Sequence, residues 1–179
     1  MTIRVASVED AGAVAEIYAP YVKDSAISFE IEPPTASEMA GRIARILETH
    51  PWLVLEEEGR IIGYAYAGPH ATRAAYRWSV DVTAYMRGDA RRKGHARALY
   101  TRLFEILVRQ NFHAAYAGIT LPNEPSVGFH EAMGFAPVGV YREVGFKMGA
   151  WRDVGWWGKT LGPAPATPAE PVPFAALDI

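Results

Sequence analysis

The chain has 179 residues, 50% of them apolar and 21% charged, with a net charge of −2. That is the balance of a globular domain long enough to bury a core without disulfides or a structural metal. It has no cysteine, which excludes a disulfide framework, a thiolate metal site and a cysteine nucleophile, and its negative charge argues against a nucleic-acid binder. No apolar run approaches the roughly 18–20 residues of a membrane span, and Glu9-Asp10 stands where a signal peptide needs its apolar core, so a cytoplasmic protein is expected.

Thr2–Val5 is short and partly β-branched, and is expected as a first strand. Ser7 followed by Asp10 resembles a capping box, after which Val14, Ile17, Tyr18 and Tyr21 recur at helical spacing. Thr35 with Glu38 opens a second helix in the same way. Met39, Ile43, Ile46 and Leu47 form its apolar stripe, and His50-Pro51 ends it. Residues 52–56 and 60–66 read as strands joined at Glu58-Gly59. Residues 76–85 alternate, with Tyr76, Trp78, Val80, Val82 and Ala84 on one face and Arg77, Ser79, Asp81, Thr83 and Tyr85 on the other.

Residues 94–110 predict a long helix with Leu99, Leu103, Ile106 and Leu107 inward. A strand over 113–119 and a short helix over 125–133 follow, Pro125 suiting the first turn of that helix. Residues 138–147 and 151–161 close the pattern as two more strands. The fold class expected is α/β (α+β), a mixed, mostly antiparallel central sheet flanked by helices, in the order β-α-α-β-β-β-α-β-α-β-β. One domain covers residues 1–162. Residues 163–179 form a proline-rich tail, since 163–173 hold five of the chain's 13 prolines and cannot make helix or central strand. The tail is either a mobile end or an extended strap pinned by Phe174 and Leu177.

The strongest local signal lies between the best strand and the best helix. From Arg87 to Arg102 there are six basic residues and one acidic residue. This charge sits at a helix N-terminus, which already presents unpaired N–H groups and a positive dipole end. Gly94 and Ala96 leave the backbone open to a phosphate. Either a phosphate-bearing ligand joins these cations or the stretch is a solvated basic turn. No P-loop and no dinucleotide fingerprint is present. The histidines show no metal-ligand spacing, so no metal is expected; His50, His70, His95 and His113 read as structural or surface residues, with His95 possible beside a cofactor.

Arg91-Arg92-Lys93-Gly94-His95-Ala96 resembles the pyrophosphate loop of the GNAT acetyltransferases. Asn123, Ser126, His130, Gly134 and Phe135 are spaced like a second signature of that superfamily. Tyr66-Ala67-Gly68-Pro69, Arg73-x-x-Tyr76-x-Trp78, Leu121-Pro122-Asn123-Glu124-Pro125-Ser126-Val127 and Gly145-Phe146-Lys147-x-Gly149-x-Trp151-x-Asp153 are similar to the phosphinothricin N-acetyltransferase family, which includes methionine sulfoximine and methionine sulfone acetyltransferases. The similarity covers roughly residues 1–160.

The resemblance implies transfer of acetyl from acetyl-CoA to the α-amine of a small amino-acid-like acceptor, by a homodimer. Tyr85, Met86, Arg87, Arg91, Arg92, Lys93, Gly94, His95, Ala96, Arg97, Ala98, Asn123 and Ser126 would meet the cosubstrate, with the Met86 amide as oxyanion donor. Asp81 would be the general base, directly or through water, since the resembled family carries the longer glutamate there; otherwise it is a carboxylate paired with Arg73 or Arg77, or solvated. His130 would protonate the thiolate, or it is a helix histidine bonded to a neighbour. Phe29, Arg73 and Tyr76 would form the acceptor pocket, Phe29 having core packing as its alternative, and Asn123 is equally a helix cap. Trp151, Trp156 and Trp157 suit core or dimer contacts. The competing readings are an acetyltransferase for a peptide N-terminus or a polyamine, and a non-catalytic acetyl-CoA sensor. Arg73 and Arg77 near Asp81 favour an anionic acceptor over a polyamine.

Overall fold

The computed structural model of the protein describes residues 1–90 and 93–178. Its elements are β1 (Thr2–Val5), α1 (Ala11–Lys23), α2 (Ala36–Leu47), β2 (Trp52–Glu57), β3 (Arg60–Pro69), β4 (Ser79–Met86), α3 (His95–Arg109), β5 (Ala114–Leu121), α4 (Glu124–Ala132), β6 (Ala136–Lys147) and β7 (Ala150–Thr160). The seven strands form one sheet in the order β1-β2-β3-β4-β5-β7-β6. Only β4 and β5 run parallel; the other neighbours are antiparallel. Among the described residues no helix is long and apolar enough to cross a membrane.

Alternation along the strands makes two cores. On one face Leu99, Tyr100, Leu103, Ile106 and Leu107 of α3 are buried against Val80, Val82, Ala115, Ala117 and Ile119. On the other, Val14, Ile17 and Val22 of α1 and Met39 and Ile43 of α2 cover Trp52, Val54 and Tyr64. Each fully buried aliphatic side chain contributes about 1.5–3 kcal/mol, so Leu99→Ala in the first core would cost about 2–5 kcal/mol.

Both expected capping motifs form. Thr35 Oγ1 accepts from Glu38 N–H at 3.2 Å, and Glu38 returns a carboxylate to the Thr35 N–H at 2.7 Å. Ser7 N–H donates to Asp10 Oδ2 at 2.8 Å, and Arg4 grips the same carboxylate through Nη1 and Nη2 at 2.7 and 2.8 Å. Asp10 is thereby held in a 3₁₀ turn, Val8–Asp10, and α1 proper begins only at Ala11.

One strand is shorter than its pattern. Residues 76–78 alternate like strand but are not strand: Ala74–Tyr76 is a 3₁₀ turn, Trp78 contributes only its carbonyl, which accepts from His113 and Ala114 N–H, and β4 starts at Ser79. The C-terminal segment accounts for this. Arg77 Nε and Nη2 hold Glu170 at 2.6 and 2.7 Å, while Trp78 Nε1 donates to Ala169 O at 2.8 Å. Further on, Gln110 Nε2 donates to Thr49 O and Val172 O, and Phe174 is buried in the α3 core. The proline-rich residues thus lie as a strap over the β3–β4 loop and the end of α3.

Candidate active site

The site begins with a break in the sheet. β4 and β5 pair only over Ser79–Asp81 with Ala114–Tyr116. Beyond Tyr116, β5 continues beside β7 up to Leu121 and Asp153, so the strands diverge and leave a cleft. Arg87 N–H donates to Ile62 O, and Ser79 O accepts from His70 N–H. These bonds fix the parity. Ser79, Asp81, Thr83 and Tyr85 turn their backbone polar groups to β3, and the even-numbered residues turn theirs to the cleft. Ala84 therefore presents its N–H and C=O to the cleft with no strand opposite. Met86 faces the same way, but its N–H donates to Tyr21 Oη at 3.2 Å, and its carbonyl accepts from that hydroxyl at 2.6 Å.

At the closed end of the cleft stands Asp81, on the face of the sheet opposite α3. Its partner is His70, just past the end of β3, with Nδ1 2.6 Å from Oδ1. Neither Arg73 nor Arg77 pairs with it. Arg77 is committed to Glu170 in the strap, and Arg73 caps the Ala74–Tyr76 turn through its carbonyl. Burial raises the Asp81 carboxyl above its ordinary value, and the His70 imidazole pulls it partly back. His70 is neither a core filler nor a loose surface residue. Its ring stacks on Tyr116 at 4.6 Å and meets the edges of Tyr76 and Trp156, both at 5.9 Å.

Phe29 approaches the same side from the α1–α2 loop. A Cβ on Gly145 of β6 would lie 2.2 Å from the Phe29 ring, so that position needs glycine for the ring to seat. Several bonds tie the loop down. Lys147 Nζ donates to Val22 O, Ser28 O and Glu30 O at 2.6–2.8 Å. Arg42 forks onto Glu30, and Tyr18 Oη bonds Ser28 and Glu30.

The other wall of the cleft is α4. Asn123 Oδ1 caps that helix by accepting from Ser126 N–H at 3.3 Å. His130 is buried, with Nδ1 2.8 Å from Ser126 O and Nε2 3.1 Å from Tyr100 Oη. A carbonyl only accepts, so Nδ1 carries the proton and Nε2 accepts from the tyrosine. Burial lowers the His130 pKa, with the Ser126 carbonyl opposing in part. Burial also pushes the Tyr100 hydroxyl far up, leaving it a neutral donor.

At the start of α3, Gly94 takes φ +80°, a conformation that favours glycine, with open space where a Cβ would be. Ala98 N–H makes the first helical bond, to Gly94 O, so the amides of His95, Ala96 and Arg97 are the ones the helix leaves free. The His95 side chain turns inward, Nδ1 meeting Ala90 O at 3.2 Å. Lys93 and Gly94 are exposed, as is Arg97, whose Nη1 reaches Ala132 O. Arg87 leans away, toward Glu16 and Asp89. Tyr85 packs its ring on Tyr18 and Tyr21 and turns its backbone polar groups to β3, so it offers the cleft neither. Arg91 and Arg92 lie outside the described residues. The open glycine turn, the free helix amides and the unpaired strand edge together fit a long anionic thioester: a phosphate at the helix, an amide-bearing arm along β4.

Reading the sequence did not single out His70, Tyr100, Tyr116 or the Tyr21 hydroxyl. Only strand register brings His70 to Asp81, and the loop between β3 and β4 hides that register. Lys147 and Gly145 were visible as a motif, without a role.

The GNAT acetyltransferase domain family matches residues 3–156. The chain belongs to the GNAT acetyltransferases, enzymes that use acetyl-CoA. It is 42% identical over 171 residues to the phosphinothricin N-acetyltransferase of Streptomyces viridochromogenes, covering 95% of this chain and 93% of that one. It is 34% identical to the L-methionine sulfoximine/L-methionine sulfone acetyltransferase of Salmonella typhimurium, over 86% of this chain and 91% of that one. A solved structure of a phosphinothricin acetyltransferase from Sinorhizobium meliloti, in complex with acetyl-CoA, superposes with a TM-score of 0.88 at 35% identity, covering 96% of this chain and 92% of that one.

Proposed function

We propose that this chain transfers acetyl from acetyl-CoA to the α-amine of a small amino-acid-like acceptor of the phosphinothricin, methionine sulfoximine or methionine sulfone type. The observation that carries this reading is the split between β4 and β5 with a carboxylate at its closed end. The split admits a thioester between two strands, and the carboxylate stands where an incoming amine must lose a proton.

The thioester is already activated, so the protein's task is to position it, deprotonate the amine and stabilise the oxyanion. Asp81 is the acidic group that receives the amine's charge and supports its deprotonation. The Ala84 and Met86 amides face the cleft as oxyanion donors; among the described residues nothing competes for the Ala84 amide, whereas Met86 must first release Tyr21 Oη. His130, on the α4 wall, is a positioning group: Nδ1 donates to Ser126 O and Nε2 accepts from Tyr100 Oη, so it holds α4 against α3 and has no proton to spare for the thiolate. The free amides of His95 to Arg97, with Lys93, receive the pyrophosphate, and Asn123 and Ser126 border the pantetheine arm. Phe29 and Tyr76 wall the acceptor, and Arg73, exposed and in no ion pair among the described residues, is available for its α-carboxylate. The nearest competing reading is a different amine.

We also propose a homodimer through the β6 edge. Val138, Val140, Tyr141, Val144, Phe146 and Trp151 are exposed there together, an apolar patch larger than isolated surface residues make.

The test is CoA thiol release from acetyl-CoA with phosphinothricin, methionine sulfoximine, methionine sulfone, a dipeptide and spermidine. Turnover confined to the first three supports the reading; turnover only with the dipeptide or spermidine overturns it. Light scattering of the wild type and of Val140→Asp checks the dimer, the variant being expected as a monomer.

A further inference from the structure

We propose that His70, rather than the Asp81 carboxylate itself, is the group that takes the proton from the acceptor amine, and that Asp81 orients it. This rests on the acetyltransferase reading above and assigns a further residue to that chemistry.

The geometry is that of a carboxylate–imidazole pair. Nδ1 of His70 lies 2.6 Å from Asp81 Oδ1. An ionised carboxylate only accepts hydrogen bonds, so Nδ1 must carry the hydrogen and Nε2 keeps its lone pair. No described residue hydrogen-bonds Nε2, which leaves that lone pair for water or for an amine. The His70 side chain is 26% exposed, so it is neither sealed in nor free to swing. Three rings on three different elements hold the imidazole plane: Tyr76 in the β3–β4 loop, Tyr116 on β5 and Trp156 on β7.

Matching of proton affinities favours the same assignment. An α-ammonium loses its proton near pH 8 and an ordinary carboxylate near pH 4; burial moves Asp81 up from that value while His70 draws it partly back, so an imidazole starts closer to the amine. An imidazole is the side chain suited to exchange protons near neutrality. The titratable groups facing His70 are Asp81, Tyr76 and Tyr116. Among the described residues no arginine or lysine pairs with Asp81. The carboxylate is therefore free to stabilise the imidazolium as it forms.

The step balances. His70 Nε2 accepts one proton from the acceptor ammonium and releases it to solvent. The nitrogen lone pair then forms the C–N bond, and the carbonyl π pair moves onto oxygen. That pair returns as the C–S bond breaks, and the second ammonium proton ends on the departing thiolate.

Steady-state rates at saturating acetyl-CoA test the assignment in the wild type, His70→Ala and Asp81→Asn. His70→Ala should lower kcat about 100-fold with the acetyl-CoA KM unchanged. Added imidazole should restore about tenfold of that loss, with the rescue growing as imidazole deprotonates, because a diffusible base replaces the missing one. Two results would overturn the proposal: His70→Ala within about threefold of wild type while Asp81→Asn is dead, or a loss in His70→Ala that imidazole does not relieve. The nitrogen-15 chemical shifts of His70 in the unliganded protein decide its tautomer whatever the substrate. Nε2 without hydrogen at pH 8 agrees with the proposal, and Nε2–H sinks it. Absence of turnover in the wild type on amino-acid acceptors would strike the substrate reading alone, with the tautomer still deciding His70.

Discussion

His70 and His130 stand beside the same cleft, yet the fold treats them in opposite ways. His130 is sealed in α4, one nitrogen donating to its own helix and the other accepting from Tyr100. His70 sits on a loop end, with one nitrogen on a carboxylate and the other on no described residue. Burial with both nitrogens satisfied makes an imidazole a structural group whose protonation is unfavourable. Half-burial against a carboxylate makes one that can gain a proton and be compensated for it. The comparison teaches that a motif position and a reactive position are different things: His130 is the histidine the signature marks, and His70 is the one with an available lone pair.

Exchanging the carboxylate is the strongest way to break that contrast. Asp81→Asn is expected to lower kcat by up to about 100-fold, no more than His70→Ala does, read as thiol release. The same change should raise the thermal midpoint at pH 7. Asp81 has a folded pKa above its ordinary 3.8, so the native state favours the neutral form; the resulting penalty is complete above the folded pKa and vanishes below 3.8. The midpoint difference between variant and wild type should therefore shrink on acidification. A variant less stable than wild type at pH 7 would show that the hydrogen bond to His70 outweighs burial.

The sealed histidine should reveal itself in stability. His130→Phe keeps the ring among Tyr100, Phe129 and Phe135 but leaves the buried Tyr100 hydroxyl unpaired. That costs about 1–3 kcal/mol in urea unfolding.

The pH dependence of the fold should follow the buried rings. Burial lowers His50 from 6.5 to about 4, and lowers His130 as well. A base with a depressed folded pKa contributes stability that is complete above 6.5 and is lost as pH falls toward the folded value. The thermal midpoint should thus drop between pH 6.5 and 4, and His50→Phe should flatten part of that drop.

Smaller effects separate the acceptor side from the thioester side. Gly145→Ala puts a methyl into the Phe29 ring; overpacking of about 1–3 kcal/mol is relieved by moving that ring, so the acceptor KM should rise while the acetyl-CoA KM holds. Smallest of all, Glu170→Ala frees Arg77 from an exposed pair. Fluorescence melting should show little change, with any effect confined to the acceptor KM through the loop bearing Tyr76.

Much of this was legible in the residues. Helix caps at Ser7, Thr35 and Asn123, the apolar stripes of α2 and α3, and the alternation through Asp81 are local properties, and local sterics and hydrogen bonding enforce them wherever the chain goes. The basic turn before α3 was legible as a candidate anion site for the same reason, since charge, glycine and helix start are neighbours in sequence. Residues 76–78 misled, because alternation specifies a side-chain pattern while pairing depends on what lies alongside, here the strap from Ala169 and Glu170.

The sequence by itself determined the order of elements, the mixed character of the sheet, and a carboxylate on the polar face of the central strand. Tertiary structure alone decided which partner that carboxylate has. Asp81 is 11 residues from His70, and Tyr116 and Trp156 are farther still, so only strand register and the β5–β7 pairing bring them together. A hydrogen bond across a sheet leaves no trace in spacing along the chain, because its length is set by how strands align and not by how many residues separate its ends.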